Sequence, residues 1–221
     1  DSIAYLCASA QFKFVMFHVK QFQEATNAND EALQRLLVYS ELLEKWQKKI
    51  NLVSSSSIVE LWKRHMLDSA QLLPLLPRQG CSILDFGSGA GFPGLVLALM
   101  GELQVTLVES DQRKCVFLSE VIRKTRVVAS VRVQNCRIEN LPSGKVDVVV
   151  SRGLAPLEKL LVLAERFLRS DSICLFLKGK KVDEELKEIQ KNWYMKATKF
   201  QSRSDPCGII LKIEHVMRRG L

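Results

Sequence analysis

The sequence has few of the residues that bind metal ions or cross-link a chain. It contains three histidines and six cysteines in 221 residues, with no Cys-x-x-Cys pair and no histidine at metal-ligand spacing from a cysteine. We therefore expect no metal site and interpret the cysteines as buried, reduced thiols of a cytoplasmic protein. They are Cys7, Cys81, Cys115, Cys136, Cys174 and Cys207.

Long uninterrupted apolar runs are also missing. The two longest apolar stretches, residues 3–19 and 82–100, are interrupted by Gln11 and Lys13 in the first and by Asp85 and several glycines in the second. Neither stretch is typical of a membrane-spanning helix. The chain starts without a basic leader or a clear cleavage site. We therefore expect no signal peptide, and a soluble, cytoplasmic protein with no membrane association.

The overall composition is that of a folded protein. Hydrophobic residues make up 47% and charged residues 25%, which excludes a disordered chain and a fibrous repeat. The length suits one domain with an extension, or one large domain. The 32 basic residues exceed the 24 acidic ones and give a net charge of +8. This balance favours an anionic partner such as nucleic acid, although many basic proteins bind none.

Periodicity divides the chain into three zones. Residues 1–28 have no steady period and are expected to be weakly ordered, and residues 29–80 are predicted to form a helical extension. Apolar residues at three- and four-residue intervals predict one amphipathic helix over 31–50 and a second that begins near Ser54 and stops at Pro74. The opposite faces of these helices are basic, which fits either a solvated surface or an RNA-contacting one. The candidate RNA contacts there are Lys48, Lys49 and Arg64.

In the third zone, residues 81–221, short β-rich runs alternate with helical patterns. Strands are predicted at 82–86, 104–109, 131–135, 146–151 and 172–177, and helices at 93–100, 112–124, 157–168 and 182–192. This alternation predicts an α/β fold with a parallel, doubly wound, Rossmann-like sheet. Two further runs, 194–200 and 208–216, have only a polar link between them. They should form an antiparallel hairpin at the sheet edge.

Glycine is concentrated directly after the first of these strands. Gly87, Gly89, Gly91 and Gly94 follow one another closely, and Pro93 suits the first turn of the next helix. Glycine lets a backbone approach a ligand closely, and a helix N-terminus offers free N–H groups. The segment therefore predicts a ligand-binding turn rather than merely a tight connection.

The glycine spacing alone does not identify the ligand. Gly89, Gly91 and Gly94 satisfy the dinucleotide fingerprint and Glu109 lies 20 residues after Gly89, so a nicotinamide-dependent oxidoreductase must be considered. Asp85 before the first glycine and the predicted antiparallel pair are not part of that fingerprint. Both features resemble class I S-adenosylmethionine-dependent methyltransferases. That resemblance implies that Asp85 lies near the methionine ammonium and that Glu109 binds the ribose hydroxyls; the alternative for each is an exposed strand-end charge.

A more specific resemblance rests on seven sequence blocks in a fixed order. They are NLVS at 51–54, RHMLDS at 64–69, DFGSGAGFPG at 85–94, VESDQRK at 108–114, RIE at 137–139, SRGLAPL at 151–157 and LKGK at 177–180. Together they resemble the bacterial small-subunit ribosomal RNA guanine-N7 methyltransferase family, also called glucose-inhibited division protein B. The resemblance runs from about Leu33 to the C-terminus.

This resemblance implies a cofactor, a substrate and a set of site residues. The cofactor would be S-adenosyl-L-methionine, and the substrate a specific guanine of 16S ribosomal RNA, either free or in the small ribosomal subunit. Ile138 and Glu139 would lie beside the adenine. The complete expected cofactor set is Asp85, Gly87, Gly89, Gly91, Phe92, Glu109, Ile138, Glu139 and Arg152.

The implied chemistry needs little from the protein beyond positioning. Guanine N7 carries a lone pair and no proton, so its methylation requires neither a general base nor a covalent nucleophile. Arg152 is the candidate positioning residue, holding a phosphate or the cofactor carboxylate; the alternative is a structural arginine bonded to strand-end carbonyls. His65 and Asp68 have a spacing more typical of a local hydrogen bond than of a catalytic pair.

Further basic residues and alternative functions remain open at this point. Lys178, Lys180 and Lys181 follow a strand end, where they would contact RNA phosphates or remain solvated. Two alternatives to the ribosomal RNA methyltransferase are a methyltransferase acting on another RNA or a small molecule, and a nicotinamide-dependent oxidoreductase or nucleotide binder. We expect a monomer.

Overall fold

The computed structural model describes residues 18–127 and 130–220. Its centre is a seven-stranded sheet in the order β3-β2-β1-β4-β5-β7-β6. The strands are β1 Ser82–Phe86, β2 Gln104–Glu109, β3 Val131–Asn135, β4 Val146–Arg152, β5 Leu168–Lys178, β6 Trp193–Gln201 and β7 Ile209–Arg218. The first five run parallel, whereas β7 is antiparallel to both β5 and β6. The predicted parallel sheet with an antiparallel edge pair is therefore confirmed.

Helices cover both faces of this sheet because its central strands are apolar on both sides. Val148, Val149 and Val150 of β4 are all fully buried, and they alternate between the two hydrophobic clusters of the protein. Helices α5 (Gly94–Met100) and α6 (Gln112–Thr125) pack into one cluster. Helices α7 (Leu157–Ala164) and α8 (Val182–Ile189) pack into the other.

The helical extension packs on the α5 and α6 face and shares its core. Residues 18–26 form helix α1, and α2 spans Asp30–Gln47 with Asn29 as its N-cap. Leu36, Tyr39 and Leu43 of α2 are fully buried in the same cluster as the sheet residues. The extension is thus built into the main hydrophobic core.

The segment after α2 differs from the single helix that the periodicity predicts. It consists of a short α3 (Ser55–Ile58), a π-helical turn (Trp62–Leu67), α4 (Asp68–Ala70) and a 3₁₀ turn (Leu73–Leu75). Apolar spacing does not reveal such breaks, because several of the apolar residues, among them Leu61, Trp62 and Met66, remain buried across them. A π-helical turn inserts one extra residue per turn and is frequent at functional sites.

The remaining elements agree in type with the sequence pattern, but helices α7 and α8 end four and three residues before their predicted ends at 168 and 192. β1, β2 and β3 have the predicted bounds, and β5 and the final hairpin are longer than predicted. The expected weak order of residues 1–28 does not hold for α1, whose Phe22 is buried 5.3 Å from the Trp62 ring; residues 1–17 lie outside the described residues. Within the described residues, none of the helices combines the length and apolar character needed to cross a bilayer.

Candidate active site

The site begins at the glycine turn between β1 and α5. Gly87, Gly89 and Gly91 have φ values of +66°, +56° and +102°, a region that residues with a Cβ rarely adopt. A Cβ on Gly87 would also lie 2.7 Å from Leu154 Cδ1, and one on Gly91 would lie 2.8 Å from the Tyr39 hydroxyl. The turn is therefore shaped for glycine by both backbone geometry and close packing.

A cavity of about 360 Å³ opens beside this turn at the carboxyl ends of β1, β2 and β4. Its volume is within the range of small-molecule sites. Six of the nine predicted cofactor residues line it: Gly87, Gly89, Glu109, Ile138, Glu139 and Arg152. Lys114 and Arg137 also line it, although neither is among the predicted cofactor residues. We refer to it as the first cavity.

Glu109 ties the end of β2 to the glycine turn. Its Oε2 accepts a hydrogen bond from the Gly89 N–H at 2.8 Å, and its Oε1 accepts one from the Asp111 N–H at 2.8 Å. Each carboxylate oxygen can accept more than one hydrogen bond, so both can still accept one from a hydroxyl. This donor–acceptor chemistry fits a ribose diol.

Asp85, near the end of β1, has a different position from the six predicted residues that line the first cavity. It is fully buried and does not line the first cavity. Its Oδ2 accepts a hydrogen bond from the Gly94 N–H at 3.1 Å, while its Oδ1 has no partner. Burial raises the pKa of the Asp85 carboxyl to about 7. Asp85 thus lies beneath the N-terminus of α5, and its contact with a methionine ammonium stays a prediction.

Tyr39 of α2 supports the turn from the opposite side. Its hydroxyl donates a hydrogen bond to the Ala90 carbonyl, and its ring stacks on Phe92 at 5.4 Å. Gly91 and Phe92 therefore pack against the helical extension and do not line the first cavity. Sequence reasoning missed Tyr39, because nothing local connects it to a turn 51 residues away.

Arg152 at the end of β4 lies between the turn and the π-helical segment. Its guanidinium carbon is 4.9 Å from the Phe92 ring centre, and its NH2 is 2.8 Å from His65 Nδ1. Its NH1 donates to the Arg64 carbonyl at 3.3 Å and lies 3.7 Å from Asp68 Oδ2. A purely structural arginine would donate to carbonyl groups at the strand ends. The hydrogen bonds of Arg152 among the described residues instead connect it to Arg64 and His65 of the helical extension.

His65 is neutral in this arrangement. Burial and the nearby Arg152 and Arg64 lower the pKa of His65 to about 3. Its Nδ1 therefore accepts from Arg152, and its Nε2, which carries the proton in that tautomer, is buried without a partner. The expected local bond between the His65 and Asp68 side chains is absent from the described hydrogen bonds; both side chains contact Arg152 instead.

A second cavity of about 630 Å³ adjoins the first, and Arg152 and Gly153 line both. It lies between the π-helical turn, the ends of β4 and β5, and the loop from Ser202 to Gly208. Its polar lining includes Arg64, His65, Asp68, Lys178, Ser202, Ser204 and Asp205. We refer to it as the second cavity.

The predicted RNA-binding lysines and arginine are placed in different surroundings. Arg64 and Lys178 line the second cavity, and Lys180 and Lys181 are exposed nearby in the sequence. The Lys178 side chain is only 10% exposed, and its Nζ is paired with Glu185 Oε2 at 2.6 Å. Lys48 and Lys49 are exposed at the end of α2 and are not among the residues that line either cavity.

The fold and the site define a class of protein. A parallel sheet with an antiparallel edge pair, a glycine turn after β1 and an acid ending β2 are the features of a class I S-adenosylmethionine-dependent methyltransferase. Two solved structures share the fold. A TehB-like SAM-dependent methyltransferase from Corynebacterium glutamicum matches with a TM-score of 0.55 and 15% identity, covering 80% of this chain and 97% of that one. A ribosomal protein L11 methylase from Lactobacillus delbrueckii matches with a TM-score of 0.54 and 17% identity, covering 67% and 76%.

Sequence comparison identifies the family within this class. The family model for rRNA small subunit methyltransferase G matches residues 32–206. Proteins named ribosomal RNA small subunit methyltransferase G are 50% identical in Rhodospirillum rubrum, covering 85% of this chain and 92% of the relative, and 46% identical in Rhodospirillum centenum, covering 93% and 94%. The chain belongs to this family. The family and fold class predicted from the sequence are confirmed. The alternative of a nicotinamide-dependent oxidoreductase is not supported by these comparisons.

Proposed function

We propose that this protein transfers a methyl group from S-adenosyl-L-methionine to N7 of one guanine in 16S ribosomal RNA. The observation that carries the proposal is the pair of adjoining cavities with Arg152 between them. The first cavity has the chemistry for the cofactor, and the second has room and polar groups for a base. Membership of the family supports ribosomal RNA as the substrate class.

The residues of the first cavity fit S-adenosyl-L-methionine, which supplies an electrophilic methyl group when bound. Glu109 would hold the ribose hydroxyls, because both of its carboxylate oxygens can accept a further hydrogen bond. Ile138 and Glu139 would lie beside the adenine, and the Gly87 and Gly89 backbone leaves space for close approach. Asp85 and Arg152 would balance the charges of the amino-acid end.

The protein's contribution to the reaction is orientation of the guanine. N7 has no proton to remove, so none of the side chains has to act as a general base. Arg152 would position the base at the border of the two cavities, where its guanidinium is already held by His65 and Phe92. Enclosure between the two cavities would also exclude water from the reacting atoms.

The substrate would reach the site as a nucleotide outside a regular helix. In A-form RNA, N7 faces a deep and narrow groove that proteins enter poorly, so the target base should lie in a loop or be extruded. The exposed cations Arg64, Lys180 and Lys181 would contact phosphates beside the second cavity. Lys48 and Lys49 would extend this contact. Lys178, which is paired with Glu185, would act mainly within the protein. We further propose a monomer that acts in the cytoplasm.

The three phosphate contacts proposed for Arg64, Lys180 and Lys181 predict a measurable dependence of RNA affinity on salt concentration. Each contributes about −0.7 to −0.9 to the slope of log K against log salt concentration. Changing Arg64, Lys180 and Lys181 to glutamine should flatten the slope by about 2 to 3 and weaken binding to all RNA sequences alike. An RNA affinity that is independent of salt in the unchanged protein would contradict phosphate contact.

The activity is tested with labelled cofactor and small ribosomal subunits from a bacterial strain that lacks the enzyme. The RNA is digested after incubation and its nucleosides are separated. Label in N7-methylguanosine supports the proposal. Label in another nucleoside, in protein or in a small molecule favours the alternative of a methyltransferase with a different substrate.

A further inference from the structure

We propose that Asp68, together with Arg152, recognises the target base as guanine and sets the base specificity of the reaction. The proposal rests on the function proposed above and assigns a role to a residue of the second cavity. In this arrangement Asp68 Oδ2 accepts from N1–H and the N2 amino group, while Arg152 donates to O6.

The Asp68 carboxylate is held in a fixed orientation. Its Oδ1 accepts hydrogen bonds from Ser204 Oγ at 2.6 Å, Gln71 Nε2 at 2.9 Å and Ser202 Oγ at 3.3 Å. Gln71, Ser202 and Ser204 are all buried, and the Gln71 Oε1 in turn accepts from the Arg203 N–H at 2.8 Å. Side chains from the loop before β7 and from the end of α4 thus fix Asp68 Oδ1. Asp68 Oδ2 takes no part in these hydrogen bonds.

The second oxygen is available to a ligand. Among the described residues it forms an ion pair with Arg152 NH1 at 3.7 Å, a distance too long for a direct hydrogen bond. Asp68 and Arg152 both line the second cavity, so an acceptor and a donor stand side by side there. The buried, unpartnered Nε2–H of His65 belongs to the same lining and is a further donor without an acceptor.

This donor–acceptor order matches guanine and opposes adenine. Guanine presents the O6 acceptor beside the N1–H donor, whereas adenine presents the N6 amino donor beside the N1 acceptor. A site whose polar groups are left unpaired by the wrong base rejects that base strongly. Because O6 and N7 lie on the same edge, a guanine with O6 on Arg152 has N7 at the border with the first cavity.

The lining contains one other carboxylate, Asp205, and it is less suited to this role. Asp205 Oδ1 accepts from the Cys207 N–H at 2.8 Å within its own turn. Its hydrogen bonds join it to the Ser202–Gly208 loop and to Gln201 at the end of β6, and no ion pair within the described residues connects it to Arg152. Asp205 therefore offers an acceptor without the adjacent donor that O6 requires.

The test crosses base analogues with protein variants. The methylated position is first mapped with the unchanged protein, and 16S RNA is then joined from fragments that carry guanosine, inosine or adenosine there. Single-turnover methylation is measured with the unchanged protein, with Asp68→Asn and with the control Asp171→Asn, a carboxylate at the opposite end of β5. Inosine retains O6, N1–H and N7 but lacks the N2 amino group.

Specific results are expected from each combination. The unchanged protein should methylate inosine about 10- to 100-fold more slowly than guanosine, as expected for a lost hydrogen bond to a charged group, and adenosine slower still. Asp68→Asn should react with guanosine at least about 10-fold more slowly and should no longer distinguish it from inosine. Asp171→Asn should keep the normal ratio. A merely structural role for Asp68 would slow both substrates equally and leave that ratio unchanged.

Several outcomes would overturn the proposal without touching the proposed function. One is equal activity of the unchanged protein on guanosine and inosine, a result that does not depend on whether a variant folds. Another is an unaltered guanosine-to-inosine ratio in Asp68→Asn, or loss of the ratio in Asp205→Asn instead. Binding of S-adenosylhomocysteine by Asp68→Asn, measured by calorimetry, shows that its first cavity is intact. Failure of the unchanged protein to form N7-methylguanosine at all would instead refute the proposed function.

Discussion

Asp85 should make the stability of this protein depend on pH in a defined direction. The carboxyl is fully buried, its Oδ1 has no partner, and its pKa is raised from 3.8 to about 7. The folded protein therefore keeps a proton on Asp85 up to about pH 7, whereas the unfolded chain releases this proton near pH 4. The stabilisation present below pH 4 is consequently lost as the pH rises to about 7.

The size of this effect follows from the width of the window. About three pH units at about 1.4 kcal/mol per unit give a loss on the order of 4 kcal/mol, as an upper limit. Asp85→Asn has nearly the same shape and carries no charge, so it should not lose this stability. Relative to the unchanged protein, the variant should gain up to that amount between pH 4 and pH 8.

The assay is urea-induced unfolding of both proteins at several pH values, with Asp171→Asn as the matched control. Only the difference between proteins is informative, because His65 acts in the opposite direction. Its pKa is lowered to about 3, so its contribution is present above the unfolded pKa of about 6.5 and is lost as the pH falls to about 3. A difference between Asp85→Asn and the unchanged protein that stays constant with pH would refute the reasoning.

Three further predictions concern the glycine turn and the first cavity. Tyr39→Phe should leave the buried Ala90 carbonyl without its hydrogen-bond donor. The variant should therefore have a free energy of unfolding about 1 to 3 kcal/mol lower and should bind S-adenosylhomocysteine more weakly. The control Tyr194→Phe, on the exposed face of β6, should change neither quantity. Glu109→Gln should weaken binding of S-adenosylhomocysteine in calorimetry by about 10- to 100-fold, because the new amide NH₂ would face the N–H group of Gly89 or Asp111. Glu120→Gln on α6 is the control. Equal affinities of Glu109→Gln and the unchanged protein would contradict the role of Glu109. A ligand ammonium near Asp85 should lower the pKa of its carboxyl, so binding at pH 7 should release a proton. Calorimetry in buffers of different ionisation enthalpy measures the number of protons released. Binding without proton release would place the ammonium elsewhere.

The sequence predicts the sheet well because strands and glycine turns carry local signals. The bounds of β1, β2 and β3 agree because each β-rich run ends at or just before residues that favour turns. Glu109 is predictable for a similar reason, since a strand-end acid at a fixed distance from a glycine turn reaches that turn. These features depend on residues that are close in the chain or joined by one strand pairing.

The second cavity could not be predicted in the same way. Its lining comes from the π-helical turn, the ends of β4 and β5 and the loop before β7, and no local pattern joins these segments. Lys178 illustrates the difficulty: its position after a strand end suggested a phosphate contact, but Glu185 from the following helix pairs with it. Charge patterns indicate which residues are basic, and only the tertiary contacts decide which of them are free to bind a ligand.

These contacts also change how the helical extension is understood. A boundary near residue 80 follows from the change of periodicity, yet both cavities depend on residues before it. Tyr39 holds the Ala90 carbonyl of the glycine turn, and His65 and Asp68 hold or face Arg152. The same hydrophobic cluster includes Leu36 of the extension and Val148 of the sheet. Since the extension supplies part of the turn's support and one wall of the second cavity, its removal should abolish base positioning even if the sheet still folded.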